Sequence, residues 1–221
     1  MTRPAFSRLP RHIAVIPDGN RRWAQAQHLG KDAGYAFGVD PGLALLDLCI
    51  ALGIEEITSY GFTLDNTKRP AVQRAAFQQA CIAVAQACIA REVSLLVVGN
   101  TDSPMFPNAL RPYTTRQTFG RGRIRANLLV NYDWQWDLRQ LERTAPTATR
   151  RSLHDALGSA DISRVDLLIR WGGRRRLSGM LPVQTVYADI YVLDSLWPDF
   201  HPDQFYEALR WYEGQDVTLG G

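Results

Sequence analysis

Cysteine is scarce in this chain of 221 residues: only Cys49, Cys81 and Cys88 occur, each within an apolar helical pattern. An odd count with no CxxC or Cys/His spacing argues against a disulfide framework or a zinc finger. Buried free thiols in a reducing compartment are expected instead. An excess of one charge is lacking too. With 25 Lys+Arg against 22 Asp+Glu the net charge is only +3, so no nucleic-acid partner is expected. The opening stretch MTRPAFSRLPRH has no apolar run of the kind a secretory leader needs. Nowhere do about 18 uninterrupted apolar residues occur, as a membrane span would require. A cytoplasmic protein with at most peripheral membrane contact is the expectation. Repeats, low-complexity tracts and linker-like segments are also missing, which predicts a single domain over residues 1–221.

What is present is apolar material: 46% of residues are hydrophobic, enough for a sizeable core. Apolar runs of strand length alternate with longer segments of helical period. Strands are predicted at His12–Pro17, Glu56–Phe62, Val93–Gly99, Ile124–Tyr132, Val165–Trp171 and Asp189–Asp194. Helices are predicted near Arg21–Gln27, Pro41–Leu52, Pro70–Arg91, Asp137–Leu157 and Pro202–Tyr212. Strands rich in Val, Ile and Leu suit burial on both faces. The alternation implies right-handed crossovers and an α/β fold, with a mainly parallel six-stranded sheet flanked by helices.

Ligands of such sheets gather at the carboxyl ends of the strands. Three polar clusters follow those ends. After the first strand, Asp18-Gly19-Asn20 turns into a helix carrying Arg21, Arg22 and Trp23. A helix N-terminus with two guanidiniums suits an anion, and Gly19 lets backbone approach it. On residues alone Asp18 reads equally as a helix cap or as a ligand for magnesium bridging to phosphate. After the second strand come Phe62, Thr63, Asp65, Asn66, Arg69 and Pro70, the last fitting the first turn of a helix. After the fifth, Arg170, Arg174, Arg175, Arg176 and Ser178 surround Gly172-Gly173. So many guanidiniums repel one another unless an anion neutralises them, and each desolvated arginine–phosphate contact contributes roughly 1.5–3 kcal/mol. A solvated basic loop is the alternative.

The longer strings resemble the cis-prenyltransferases, the undecaprenyl diphosphate synthase family. His12-Ile-Ala-Val-Ile-Pro-Asp18-Gly-Asn-Arg-Arg-Trp23-Ala24, continuing through Lys31, Gly34 and Gly38, is similar to that family's first signature. Gly61 to Pro70 resembles its Phe-Ser-x-Glu-Asn-Trp-x-Arg-Pro block, and Arg170 to Ser178 its Arg-x-Gly-Gly-Glu-x-Arg-x-Ser block. Asn131-Tyr132 with Trp136-Asp137, Tyr187 to Tyr191, and Leu196-Trp-Pro-Asp-Phe200 resemble three further blocks. The resemblance implies a magnesium-dependent prenyltransferase. It would join an allylic isoprenoid diphosphate to isopentenyl diphosphate, with an apolar tunnel between sheet and helices for the prenyl tail. It further implies Asp18 and Asp189 as the Mg2+ ligands and Asp18, Asn20, Asn66 and Arg69 as catalytic residues. Gly19, Arg21, Arg22, Trp23, Lys31, Tyr35, Phe62, Thr63, Arg170, Arg174, Arg176 and Ser178 would bind substrate, and the chain would form a homodimer. The apolar stretch Ile190–Trp197 is the seam expected from the residues themselves.

Departures from the family pattern are specific. Pro17 precedes Asp18 where methionine is common, and Tyr35 replaces a phosphate-binding histidine. Thr67 replaces tryptophan, Arg174 an acidic residue, and Asp133-Trp134 two glycines. The C-terminus, Asp216 to Gly221, lacks the family's arginines, and Arg174 or Arg175 is expected to restore that charge. Segments Pro70–Gly99 and Asp137–Arg170 look short, implying a shallow tunnel and a short product. No Asp-Asp pair occurs, so the aspartate-rich motif of trans-prenyltransferases is missing. An irregular, lavandulyl-type or cyclising reaction, or a non-catalytic partner role, stays open as the alternative.

Overall fold

A computed structural model describes residues 4–143 and 154–216. Seven strands make one sheet: β1 (His12–Ile16), β2 (Glu56–Tyr60), β3 (Ser94–Val98), β4 (Gln117–Thr118), β5 (Arg125–Leu129), β6 (Leu167–Arg170) and β7 (Asp189–Val192). Their order is β4-β3-β5-β2-β1-β6-β7, and every pairing is parallel except β3 with β4. The six predicted strands are all present, each ending one or more residues earlier than predicted. The predicted count is corrected by β4, which is two exposed residues with no apolar run to betray it. It forms only because Gln117 and Thr118 return antiparallel along Leu95 and Ser94, with the Phe119 amide donating to Val93 O.

Alternation along the strands builds two cores. Ile13, Val15, Ile57, Leu95, Val97, Leu128, Leu167 and Ile169 point to one face, against α3 (Val39–Leu52), α4 (Ala71–Ile89) and the helix Pro202–Glu213. Ala14, Ile16, Leu96, Val98, Leu129 and Leu168 point to the other, under Tyr132, Ile162, Met180 and Leu181. The side-chain period of two thus feeds both layers from the same strands. All three cysteines are buried and unpaired in the first core, where burial pushes their thiols well above the ordinary value.

Two short helices bracket the first loop: α1 (Asn20–Ala26) and α2 (Gly34–Phe37). The run Gly34–Leu52 is long and apolar enough by composition to cross a membrane, yet it is two helices meeting at Gly38, and Leu45, Leu46 and Cys49 belong to the core. The predicted helix Asp137–Leu157 begins earlier, as α5 (Trp134–Arg139), and continues as a 3-10 turn to Arg143; residues 144–153 of it lie outside the described residues. Asp133, where the family pattern has glycine, caps α5 by accepting from the Trp136 amide at 3.3 Å.

Candidate active site

The three polar clusters converge at the carboxyl edge of the sheet. Their side chains line one open cavity of about 520 Å3: Asp18, Gly19, Asn20, Arg21, Arg22, Lys31, Tyr35, Thr63, Asn66, Arg69, Arg170, Arg174, Arg176 and Ser178 all face it. Arg175, the other candidate for restoring C-terminal charge, is not among its lining residues. An apolar slot opens beside it between the sheet, α3 and α4, walled by Gly42, Leu43, Leu46, Phe77, Cys81, Val84, Cys88, Leu128 and Trp197. The slot is narrow: about 90 Å3 of it is wide enough for the centre of a water molecule. Pro17, Asn20, Tyr35, Tyr60, Gly61 and Phe77 line both spaces and form the neck between them.

Close backbone approach sets the first turn. Gly19 has φ 117°, and a Cβ there would lie 2.9 Å from the Leu196 side chain. The Trp197 amide donates to Asp18 O at 3.0 Å, so the Leu196–Phe200 segment is a buttress for the Asp18 turn. Gly172 is equally constrained: a Cβ would meet Arg22 Nη2 at 2.5 Å and Asp18 O at 3.0 Å. With seven residues α1 is short, so the anion-binding capacity of this edge rests mainly on guanidiniums.

Arg170 ties the first cluster to the third. Its Nη2 donates to Asp18 Oδ2 at 2.8 Å, and its Nη1 to Ser178 Oγ at 2.8 Å and to the Arg176 carbonyl at 2.6 Å. Only 3% of the Arg170 side chain is exposed, against 34% for Asp18. Arg22 approaches Asp18 Oδ1 at 3.4 Å and donates to Gly172 O at 2.9 Å. Asn66 accepts from the Thr63 amide through Oδ1 at 3.1 Å, leaving its amide nitrogen for the cavity. Arg69 donates to the Tyr35 hydroxyl at 2.6 Å. Burial pulls the Arg69 pKa below its ordinary value, and Arg21 pushes the same way. Asn20 Oδ1 is buried without a hydrogen-bond partner, a poised acceptor at the neck.

Three predicted site residues fall elsewhere. Trp23 does not line the cavity: its Nε1 donates to Asp199 Oδ1 at 2.6 Å and its ring packs on Phe37, so it braces the turn from outside. Phe62 is fully buried behind Phe77, ring edge to ring face at 5.5 Å. Asp189 is the substantive correction. It is level with Leu167 at the amino end of its strand, whereas Arg170, three residues on, is the residue that reaches Asp18. Parallel strands separate those levels by roughly 10 Å, so one chain cannot close both acids on a single ion. Among the described residues no three His, Cys, Asp or Glu side chains gather as a metal cage. A hard divalent cation here would be held by Asp18, the cavity acid that is not paired with a lysine.

Sequence reasoning missed Phe77 and Trp197 as walls. Phe77, Cys81, Val84 and Cys88 follow a helical period, which reads identically for a core stripe and a cavity wall.

A mainly parallel α/β sheet thus carries convergent guanidiniums and two acids, Asp18 and the Lys68-paired Asp65, beside an apolar slot, an arrangement suited to an amphiphile with an anionic head. The undecaprenyl diphosphate synthase family model matches residues 16–220. The chain belongs to this family, the cis-prenyltransferases. It is 33% identical to the (2E,6E)-farnesyl-diphosphate-specific ditrans,polycis-undecaprenyl-diphosphate synthase of Pseudomonas syringae pv. tomato, covering 97% of this chain and 92% of that protein. An isoprenyl transferase of Chlorobaculum tepidum is 30% identical, over 96% of this chain and 86% of the relative. The fold is shared with lavandulyl diphosphate synthase from Lavandula x intermedia, solved in complex with dimethylallyl diphosphate. Its TM-score is 0.83 at 20% identity, over 96% of this chain and 98% of the other. The chain is a prenyl-transferring enzyme.

Proposed function

We propose that this enzyme condenses an allylic isoprenoid diphosphate with isopentenyl diphosphate, with Mg2+, to a short cis-prenyl diphosphate. The observation that carries the reading is the meeting of a wide, arginine-lined cavity with a narrow apolar slot at one neck. Arg21, Arg69 and Lys31 hold the allylic diphosphate, and Arg174, Arg176 and Ser178 that of the acceptor. Arg170 is committed to Asp18 and Ser178, so it shapes the site rather than donating freely to phosphate. The Asp18 carboxylate keeps lone pairs beyond its two guanidinium contacts, so it would be the residue that holds a divalent cation. Magnesium bound there supplies charge neutralisation for the departing diphosphate. The slot takes the prenyl tail and keeps water from the allylic carbon. Asn20 and Asn66 orient the acceptor so that a carbon–carbon bond forms as the carbon–oxygen bond breaks, diphosphate leaves, and a proton is lost to it or to a nearby polar group.

The short product is inferred from the slot's narrowness. Incubating the protein with Mg2+, isopentenyl diphosphate and allylic diphosphates of several lengths, with products identified by mass, tests all of this. Products several units longer than the donor overturn the short-chain reading, and no turnover with any donor overturns the enzymatic one. Pro17 at the neck, where the family commonly has methionine, favours one second reading: head-to-middle joining of two dimethylallyl units. Turnover with dimethylallyl diphosphate alone would identify it.

The same proposal includes a cytoplasmic homodimer. β7 is an edge strand, and Val183, Val186, Tyr187 and Ile190 leave apolar surface exposed on or beside it. A sheet edge with exposed apolar side chains invites pairing with a second copy. Sedimentation equilibrium at micromolar concentration tests this, and a monomer would refute it.

A further inference from the structure

We infer that Tyr35 and Phe77 are a chain-selecting gate at the neck and that Tyr35 also latches Arg69 toward the diphosphate cavity; the inference rests on the proposed prenyl transfer. Tyr35 comes from α2 and Phe77 from α4, and their rings stack with centroids 4.5 Å apart at 8°. Both rings line the polar cavity and the apolar slot. Neither ring is loosely held. Phe62, fully buried, packs edge-on behind Phe77. Gly34, the residue before Tyr35, lies so close to α1 that a Cβ would clash with Asn20 O, which fixes α2 against the Asp18 turn.

The polar side of the pair is equally committed. Arg69 Nη1 donates to the Tyr35 hydroxyl at 2.6 Å, and the Arg69 guanidinium carbon lies 5.9 Å and 5.8 Å from the Tyr35 and Phe77 ring centroids. Burial raises the Tyr35 phenol above its ordinary value, so it stays a neutral acceptor for that bond. One amphipathic element thus has two functions. Its hydroxyl end aims a guanidinium whose other N–H groups remain for phosphate, and its ring faces border the path from that phosphate into the slot. A tail leaving the diphosphate cavity passes this stacked pair, so ring bulk there selects short donors.

The test compares binding of the thiolodiphosphate analogues of dimethylallyl and farnesyl diphosphate by calorimetry, alongside product length, in the wild-type protein and in Phe77→Ala, Phe77→Leu and Tyr35→Phe. Phe77→Ala should improve the farnesyl analogue relative to the dimethylallyl one by about tenfold or more, with Phe77→Leu in between. Tyr35→Phe keeps the stack but loses the latch, so both analogues should weaken by a similar factor of about ten with product length unchanged. Tyr35→His, which restores a polar partner, should recover part of that affinity. An unchanged analogue ratio in both Phe77 variants, with melting temperatures near wild type, overturns the gate. Undiminished affinity in Tyr35→Phe overturns the latch. If the ratio shifts while no variant turns over any substrate, the gate stands and the proposed reaction fails.

Discussion

Both edges of the sheet carry polar and charged side chains, and the two edges use them in opposite ways. At the amino edge, His12, Thr58, Glu56 and Asn127 are all buried and bonded to one another. His12 Nδ1 faces the Ser163 and Arg164 carbonyls at 3.0 and 3.2 Å, so it carries the proton, and Nε2 accepts from Thr58 Oγ1 at 2.8 Å. Asn127 donates to Thr58 and Glu56 and accepts from Arg116, while Arg116 and Arg125 both reach Asp161. Charges there are matched within the chain. At the carboxyl edge, Arg21, Arg22, Lys31, Arg69, Arg170, Arg174 and Arg176 share a cavity whose acids are Asp18 and Asp65, and Asp65 is already paired with Lys68. A cluster closed on itself is architecture; one left with surplus charge of one sign awaits a partner of the other sign.

That contrast can be broken experimentally. The largest effect is expected from Asp18→Asn, which should lower kcat/KM by about 10²–10³-fold, read by product formation. Next, Asn127→Ala should destabilise by about 1–3 kcal/mol, because Glu56, Thr58 and Arg116 lose a buried partner. Urea unfolding would measure it. Arg174→Ala and Arg176→Ala should each raise KM for isopentenyl diphosphate about tenfold at unchanged stability, whereas Arg175→Ala should do neither. If Arg175→Ala alone raises KM, the charge that compensates for the missing C-terminal arginines has been assigned to the wrong residue.

The smallest effect concerns pH. Burial lowers the His12 pKa, so the folded chain holds it neutral while the unfolded chain protonates it near the ordinary value of about 6.5. The unfolded state therefore binds more protons below about pH 6.5, and stability should fall as pH drops through that point toward the folded-state value. Urea midpoints across that window, compared between wild type and His12→Asn, would isolate the contribution. An equal slope in both proteins would refute it.

Much of the fold was legible because the strands announce themselves as short apolar runs between turn residues. β4 did not, since Gln117 and Thr118 pair only through the backbone of a distant neighbour. The polar clusters were legible as candidates because parallel sheets place successive carboxyl ends together. Trp23 and Phe62 stood inside the right motifs yet face away from the cavity, because a motif records proximity in sequence and not the direction of a side chain. Asp189 cannot join Asp18 within one chain for a related reason. Its spacing from Arg170 says nothing about which end of a strand it occupies, and the register puts it at the end away from Asp18.

By itself the sequence determined the layer architecture, the edge where ligands gather and the excess of guanidiniums there, since these follow from local periodicity and residue chemistry. Tertiary structure alone decided which charges are spent inside the chain, that Arg170 is committed to Asp18, and that Tyr35 and Phe77 stack at the neck. Such outcomes depend on distances between residues far apart in the chain, which are fixed only when the sheet register and helix packing are set.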